Sequence, residues 1–482
     1  MLIVYYTVGA WGFYRLGLKL KLPEFVAGFL AMFGAASPAL AIHATVGHVI
    51  FANVLLWPAI LSFLLDATSD RWSGLKAGAL FALGFNEIPY YVMQYGGLTA
   101  GLLWLWQTLR ASGPEKKAYF RFASLAIASA LPFMTTAIAG IVAIAHDYGR
   151  IANTPVSFTA VQLAHWYLLP ITELKDAAYV PSLGGSWGTW ETACYLGWGG
   201  LAFFIYGLFR GPRWFHALAA LCFVLSIGNS HDWQPMHWLM STRAFASLQT
   251  FARVRLLTHV FFAIGVAWGV ASAWSFSSQK NRKWILVGAA ITLIEVSLVS
   301  NALVRHAHFD YIPPPVANNQ GQAFYQMAER KPLPTFFDGW PADLRFYAAA
   351  NIGIVRELAA IDSAFRFPSH VRTVRDSDYK GEFSQAGHPI LPNSWSPNKI
   401  VFNHLKPEVP LTVNLNRGNP WRNFGQPLFL QDRIVELDLP FEVLPNSAGA
   451  VELTYVPSYV KMGLWMTVAA WISLLVLWRI LR

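Results

Sequence analysis

The sequence is poor in cysteine and in charge. It has two cysteines, Cys194 and Cys222, in 482 residues, and 13% of its residues are charged while 55% are hydrophobic. Both cysteines fall in apolar stretches, where a thiol behaves as a small hydrophobic group. The sequence therefore implies no disulfide framework and no cluster of metal ligands.

Several catalytic and targeting motifs are also missing. The chain has no Gly-rich phosphate loop ahead of a helix, no G-x-S-x-G and no H-E-x-x-H, which argues against nucleotide hydrolysis, serine hydrolysis of the α/β type and zinc proteolysis. No basic segment precedes the first apolar stretch and no small-residue cleavage site follows it, so the N-terminus does not resemble a signal peptide. No cofactor is identifiable, and a divalent metal is left open.

Long apolar runs dominate what remains. Residues 284–303 and 462–481 are long enough to cross a hydrocarbon layer of about 30 Å as helices. Reading the rest of the chain for apolar runs, we predict about eleven transmembrane helices. They lie at 2–17, 24–42, 48–66, 74–91, 93–109, 121–145, 193–209, 214–228, 256–274, 284–303 and 460–479.

The short connectors between these spans alternate in charge. Every second connector is basic, and Lys and Arg are retained on the cytoplasmic side. The basic connectors contain Arg15, Lys19 and Lys21; Arg71 and Lys76; Arg110, Lys116, Lys117 and Arg121; Arg210 and Arg213; Lys280, Arg282 and Lys283; and finally Arg479 and Arg482. The alternation predicts an integral membrane protein whose N-terminus and 305–457 domain both lie outside the cytoplasm. It also accounts for much of the net charge of +10 without any nucleic acid.

The predicted fold class is a polytopic α-helical membrane protein with an extracytoplasmic α+β domain inserted before the last helix. The predicted domains are a transmembrane region at 1–304, the α+β domain at 305–457 and a C-terminal transmembrane helix at 458–482. Candidate helices lie at 323–330 and 354–361. Short alternating runs at 399–403, 411–415, 434–439 and 450–456, separated by Pro, Asn and Gly, predict a small antiparallel sheet or β-sandwich.

Polar side chains gather on the predicted outer face. Ionisable groups at a membrane surface tend to face a cavity or a partner, which makes His48, His231, Asp232 and His237 candidates for lining a substrate cavity. The same residues could instead be interfacial groups that reach for water.

Two arginines, Arg253 and Arg255, open an apolar span on this outer side, against the positive-inside trend. A guanidinium suits a phosphate because it donates two parallel hydrogen bonds. We therefore predict that Arg253 and Arg255, with Arg243 nearby, bind the phosphate of a lipid. Contact with a headgroup phosphate or an ion pair with Asp232 would explain the pair equally well.

The order of several short motifs resembles the YfhO-like bacterial membrane proteins, a group related to the GT-C glycosyltransferases. The residues that carry the resemblance are Gly47-His48, Trp57-Pro58, Tyr195-Leu-Gly197, Arg253-Val-Arg255, Asn351-Ile-Gly353, Leu411-Thr-Val-Asn-Leu through Pro420-Trp421, Val443-Leu-Pro-Asn-Ser-Ala-Gly449, Val451-Glu-Leu-Thr-Tyr455-Val-Pro457 and Gly463. The resemblance implies transfer of a sugar from a polyprenyl-phosphate carrier to an extracytoplasmic acceptor.

The family resemblance also implies a carboxylate general base in a first outer loop, which this sequence does not contain. We expect either that residue 1 lies beyond that loop or that this is a shortened member without its base. If the chain is active, Glu87 is the candidate base, because it lies at a Pro-marked outer end of a span; it could equally cap or pair at a turn. The alternatives are a non-catalytic membrane scaffold in an envelope complex and a transporter.

Overall fold

A computed structural model describes residues 2–45, 49–86, 91–147, 167–170, 194–228, 231–242, 254–308, 325–327, 352–354, 377, 379–396, 399–414, 421–424, 426–427, 441–455 and 458–481. The chain forms two compact units. The first comprises Met1–Met134, Asn153–Ile312 and Ala469–Arg482, and the second comprises Thr135–Ala152 and Pro313–Val468.

The described part of the chain is mostly helical. Its α-helices are α1 (Leu2–Lys19), α2 (Glu24–Ala35), α3 (Pro38–Thr45), α4 (Trp57–Leu65), α5 (Ser73–Phe85), α6 (Tyr91–Arg110), α7 (Gly113–Asp147), α8 (Trp198–Leu208), α9 (Arg213–Leu225), α10 (Pro235–Ser241), α11 (Val254–Phe276), α12 (Gln279–His308) and α13 (Ser458–Leu481), and a 3₁₀ helix covers Val49–Leu56. A helix is found within each of the eleven predicted spans.

Among the residues that the structure describes, four helical stretches are long and apolar enough to cross a membrane: Glu24–His43, Gly113–Thr135, Val254–Phe276 and Gln279–Arg305. Shorter apolar helices cover Phe51–Leu65, Ser73–Phe85, Trp198–Leu208 and Trp214–Leu225. This composition indicates an integral membrane protein. The prediction of about eleven transmembrane helices remains a prediction.

Two predicted spans are interrupted because of proline. The span at 24–42 is divided between α2 and α3, and Pro38 is the first residue of α3. Proline suits the first helical turn, but it disfavours helical backbone at the residue before it. In the span at 48–66, α4 follows a 3₁₀ helix. Pro58 has no N–H with which to continue the α-helical bonds backwards.

Helices of the first unit approach each other through glycine. Helix α11 carries Gly265 and Gly269, four residues apart, and a Cβ at Gly269 would collide with the backbone carbonyl of Phe203 in α8. Gly207 of α8 meets the carbonyl of Gly265 in the same way. Small residues at such spacing let two helix backbones pack closely inside a membrane.

A buried carboxylate joins the ends of α1 and α4. Asp66, whose side chain is 3% exposed, forms ion pairs with Arg15 and Lys19. The Arg15 guanidinium also lies 4.6 Å from the ring centre of Phe63. Two of the basic residues used to assign topology therefore share one counter-charge within the fold. Removal of Asp66 would leave both cations without that counter-charge.

The second unit contains a two-sheet β-sandwich. One sheet has the order β10 (Phe441–Val443), β7 (Leu411–Val413), β3 (Phe383–Gln385), β4 (His388–Pro389). The other has the order β5 (Ser394–Ser396), β6 (Lys399–Phe402), β11 (Val451–Tyr455), β8 (Trp421–Asn423), β9 (Gln426–Pro427). All pairs in both sheets are antiparallel. The β-runs predicted at 399–403, 411–415 and 450–456 are thus confirmed as strands, whereas 434–439 lies outside the described residues.

Alternation places the apolar side chains of these strands between the sheets. Leu411 and Val413 are buried in one sheet, as are Val451 and Leu453 in the other. Phe383 meets Phe402 across the core, edge to face, with ring centres 5.0 Å apart.

One secondary-structure prediction is wrong in part. Within the candidate helix at 323–330, Tyr325–Met327 is a strand, β1, which pairs in parallel with β2 (Ile352–Ile354). The apolar spacing of so short a segment does not distinguish helix from strand, and pairing with a distant strand decides between them.

Candidate functional site

An apolar groove of about 590 Å³ lies in the first unit between α8 and α9. Helix α8 contributes Leu201, Phe204 and Leu208, which share one face because they are three or four residues apart. The groove is lined by these three residues together with Tyr167, Leu168, Leu196, His216, Ala219, Ala220, Phe223 and Phe262. Its volume is in the range of small-molecule sites.

Four aromatic rings, from Tyr167, Phe204, Phe223 and Phe262, line the groove. Phe262 of α11 packs against Phe204 at 4.5 Å between ring centres and against Tyr167 at 5.4 Å. Tyr167 also contacts Phe223 of α9 at 5.7 Å. Because these rings come from separate segments, the groove exists only when the helices are packed together.

The predicted phosphate ligand Arg255 lies near Tyr167, one of the lining residues. Arg255 is the second residue of α11 and is 2% exposed. Its Nη2 donates to the Ser226 carbonyl oxygen at 3.3 Å, and the Cys194 thiol donates to the Arg255 carbonyl at 3.6 Å. Burial raises the pKa of the Tyr167 phenol, and the positive charge of Arg255 opposes that rise. The neutral hydroxyl of Tyr167 and the buried cation of Arg255 thus lie close to each other.

The motif Tyr195-Leu-Gly197 is held by a carboxylate from a neighbouring helix. Glu295 of α12 accepts hydrogen bonds from the Tyr195 hydroxyl at 2.5 Å and from the Trp198 backbone N–H at 3.1 Å. A negative charge at the first turn of α8 satisfies a free N–H and interacts favourably with the helix dipole. Gly197 has φ of +78°, which glycine adopts without strain. Glu295 therefore fixes the segment that carries Leu196 into the groove wall.

His231, Asp232 and His237 lie beside one another but do not line the groove. The Nε2 atom of His237 is 3.4 Å from Oδ1 of Asp232, whose side chain is 97% exposed. Trp233 and Trp238 in the same stretch are 65% and 62% exposed. Their role in a substrate cavity remains a prediction.

The remaining predicted site residues cannot be placed relative to the groove. His48, Glu87, Arg243 and Arg253 lie outside the described residues. Within the described residues, no group of three or more His, Cys, Asp or Glu side chains is arranged to hold a metal ion.

Sequence reasoning missed the groove itself. The signal that could have indicated it is weak, since apolar residues at positions 201, 204 and 208 of α8 have the spacing of any buried helix face. Ser226, Cys194 and Tyr167 carried no motif, and their association with Arg255 depends on packing between distant segments.

None of the protein-family models searched matches this chain, and no curated protein matches it. Among solved structures, it is similar to cryo-EM structures of the arabinofuranosyltransferase AftD from mycobacteria. One of these, a mutant in class 2, has a TM-score of 0.46 and 16% identity, covering 73% of this chain and 26% of that chain. Another has a TM-score of 0.46 and 14% identity, covering 94% of this chain and 33% of that chain. This chain thus spans about a third or less of the length of the AftD structures.

Proposed function

We propose that this chain is a membrane glycosyltransferase-like protein of the YfhO-like type, which uses a polyprenyl-phosphate-linked sugar donor at the extracytoplasmic face. The observation that carries the proposal is the apolar groove of about 590 Å³ between α8 and α9, together with the buried Arg255, whose charge acts on the lining residue Tyr167. A polyprenyl phosphate has the same division between a long apolar chain and a doubly hydrogen-bonding anionic head.

The lining of the groove suits the polyprenyl chain. Only Tyr167 and His216 among the eleven lining residues carry polar side-chain atoms. A hydrocarbon chain in this space would contact Leu201, Phe204 and Phe223 instead of lipid tails. Since lipid tails are also apolar, selectivity for the chain would come from close packing against these side chains.

Arg255 suits the phosphate. Its bond to the Ser226 carbonyl is 3.3 Å long, whereas charge-assisted bonds are typically about 2.7–2.9 Å. A phosphate oxygen would therefore be a stronger acceptor than this carbonyl. Because Arg255 is 2% exposed, binding would require movement of the side chains that cover it. Arg253 and Arg243 are proposed to assist from the adjoining segment.

The proposed reaction needs a general base at the outer face, and we assign that role to Glu87. A carboxylate within about 3 Å of the acceptor hydroxyl could take its proton as the sugar is transferred.

Carrier binding can be tested by filling the groove. Ala219 is buried and lines the groove, whereas Ala217 lies two residues away on the exposed face of the same helix. Ala219→Trp should weaken binding of a fluorescent polyprenyl phosphate to the full chain in detergent, and Ala217→Trp should leave it unchanged. Equal binding by both variants and the parent would show that the groove is not the site.

The phosphate contact has its own test. Arg255→Ala should weaken carrier binding by about tenfold or more, because a hydrogen bond to a charged group contributes roughly 1.5–3 kcal/mol. Arg255→Lys should recover part of the loss, since it keeps the charge but not the planar fork. Unchanged binding in Arg255→Ala would remove this residue from the site.

Transfer is tested separately with a lipid-linked sugar donor. Glu87→Gln should abolish turnover and leave donor binding intact. Undiminished turnover would remove Glu87 from the mechanism. Carrier binding without turnover in the parent chain would favour the scaffold alternative.

The proposed orientation can be tested with single cysteines at exposed positions. An impermeant reagent outside the cell should label Ser394→Cys in β5 and not Ser112→Cys in the connector before α7. Labelling of Ser112→Cys alone would invert the topology and move the proposed site to the other face.

A further inference from the structure

A second cluster of charge lies at the opposite end of α11 from Arg255. Helix α11 has 23 residues, so its ends are about 35 Å apart at 1.5 Å per residue. At the far end, the guanidinium of Arg210, which follows α8, lies 4.4 Å from the ring centre of Phe276. This contact brings together two basic connectors that are some distance apart in the sequence.

A second arginine is placed similarly. The guanidinium of Arg282 in α12 lies 5.1 Å from the ring centre of Trp274, and Trp274 packs against Phe25 of α2 at 4.6 Å. The Nε of Arg282 is buried and has no hydrogen-bond partner among the described residues. The ring contact orients the guanidinium and leaves hydrogen-bond donors available for an anion.

The two connectors that supply this cluster contribute no acidic residues of their own. Arg15 and Lys19 pair with Asp66, and Lys76 pairs with Asp70. By contrast, residues 209–216 and 277–284 contain no Asp or Glu. Cation–aromatic contacts do not neutralise charge, so the cluster retains its net positive charge.

We propose that this cluster, formed by Arg210, Lys280, Arg282 and Lys283, binds the phosphate of an anionic glycerophospholipid. Basic pockets between helices on the cytoplasmic side suit such headgroups, and guanidinium groups can bind a phosphate through paired hydrogen bonds. The topology predicted from the basic connectors would place this end of α11 on the cytoplasmic side.

The adjoining helix surfaces suit the acyl chains of the same lipid. Ile205 of α8 and Phe209, which follows that helix, are 49% and 80% exposed, and Ile291 and Ile294 of α12 are 59% and 58% exposed. Exposed apolar side chains next to a cationic cluster match the amphipathic structure of a phospholipid. The inference is independent of the proposed glycosyltransferase function.

The test is mass spectrometry of the intact full-length chain released from nanodiscs that contain phosphatidylglycerol and phosphatidylcholine. The parent should retain phosphatidylglycerol in preference to phosphatidylcholine. Arg210→Gln with Arg282→Gln should reduce the retained phosphatidylglycerol by about tenfold, given the strength of charge-assisted hydrogen bonds. Lys116→Gln with Lys117→Gln is the matched control. It removes two exposed cations from the first turns of α7, where Glu115 supplies a nearby negative charge.

Arg210→Lys with Arg282→Lys should retain an intermediate amount, and this milder variant serves if the glutamine variant does not fold. Equal retention in the parent and the glutamine variant would overturn the proposal. So would an equal loss in the Lys116 and Lys117 control, or equal retention of the two lipids by the parent.

Discussion

The helical unit and the β-sandwich use glycine for different physical reasons. In the helical unit, Gly207, Gly265 and Gly269 lie where a Cβ would enter the neighbouring helix. In the sandwich, Gly387 has open space around it but a φ of +76°. Glycine therefore shortens the distance between backbones in one unit and permits a left-handed turn in the other.

The two units also differ in the forces that stabilise them. Among lipid tails, burial of an apolar side chain gains little, so association depends on close packing. In the sandwich, outward residues such as Glu442 and Glu452 alternate with buried ones, as in sheets that face water on their outer sides. Burial of apolar side chains can then supply most of its stability. The two units should respond differently to the same class of substitution.

The largest effect is expected in the sandwich core. Phe402 is fully buried, and Phe402→Ala should cost about 3–5 kcal/mol, because it removes buried area and leaves a cavity. Hydrogen exchange of the full chain should show faster exchange in β6 and β11. Leu444→Ala is the control, since that side chain is 63% exposed, and an equal effect of both changes would contradict the assignment of the core.

A smaller but still substantial effect is expected from Gly269→Ala in α11. The added methyl group would collide with the Phe203 carbonyl, and overpacking typically costs about 1–3 kcal/mol. Gly101→Ala in α6 is the matched control, because no atom lies within 4 Å of its Cβ position. Since alanine is the better helix former, this control should be neutral or stabilising. Thermal unfolding in detergent compares them, and equal melting temperatures would contradict the close approach of α8 and α11.

In the sandwich, the cost of replacing a glycine should come from its backbone conformation and not from crowding by neighbouring atoms. Ala386 and Gly387 form the two-residue turn between β3 and β4, both with positive φ, as in a type I′ hairpin. Gly387→Ala should cost about 1–2 kcal/mol although nothing crowds it, because a side chain disfavours left-handed backbone. Ala386→Gly should stabilise the same turn. Chemical unfolding followed by fluorescence measures both, and a neutral Gly387→Ala would show that φ does not limit this position.

The smallest effect is expected from an ion pair in a connector of the helical unit. The hydrogen bond from Lys76 Nζ, at 2.7 Å, lowers the pKa of Asp70, with a further contribution from the Trp72 N–H. A carboxylate whose pKa is lowered by folding stabilises the folded state at pH values above its ordinary pKa of 3.8. That stabilisation is lost as the pH falls through the pKa of the folded state.

Asp70→Asn should therefore lower stability at pH 7 by a few tenths of a kcal/mol, because the pair is partly exposed and screened by salt. The difference from the parent should shrink towards pH 3. Melting temperatures of the variant and the parent at both pH values measure this difference in stability. A difference that grows at low pH would contradict the prediction.

Sequence patterns located the helices and several strands because hydropathy and alternation are local properties. Apolar length indicated α11 and α12, and period-two alternation indicated β6 and β11. The glycine pair Gly265 and Gly269 was not predicted from the sequence, and its close contact with α8 follows only from the packing. The strand at Tyr325–Met327 was misread because three residues carry too little pattern, and its pairing with Ile352–Ile354 is long-range.

The sequence by itself determined the class of the molecule, an apolar helical chain with a small β-structure before its last helix, because composition and periodicity follow directly from residue order. Only the tertiary structure decided that Glu295 caps α8, that Asp66 pairs with both Arg15 and Lys19, and that Arg255 lies beside Ser226 near an apolar groove. Each of these contacts joins residues at least 29 positions apart. An apolar helix face has the same spacing whether it meets lipid, a neighbouring helix or a groove, so only packing distinguishes them.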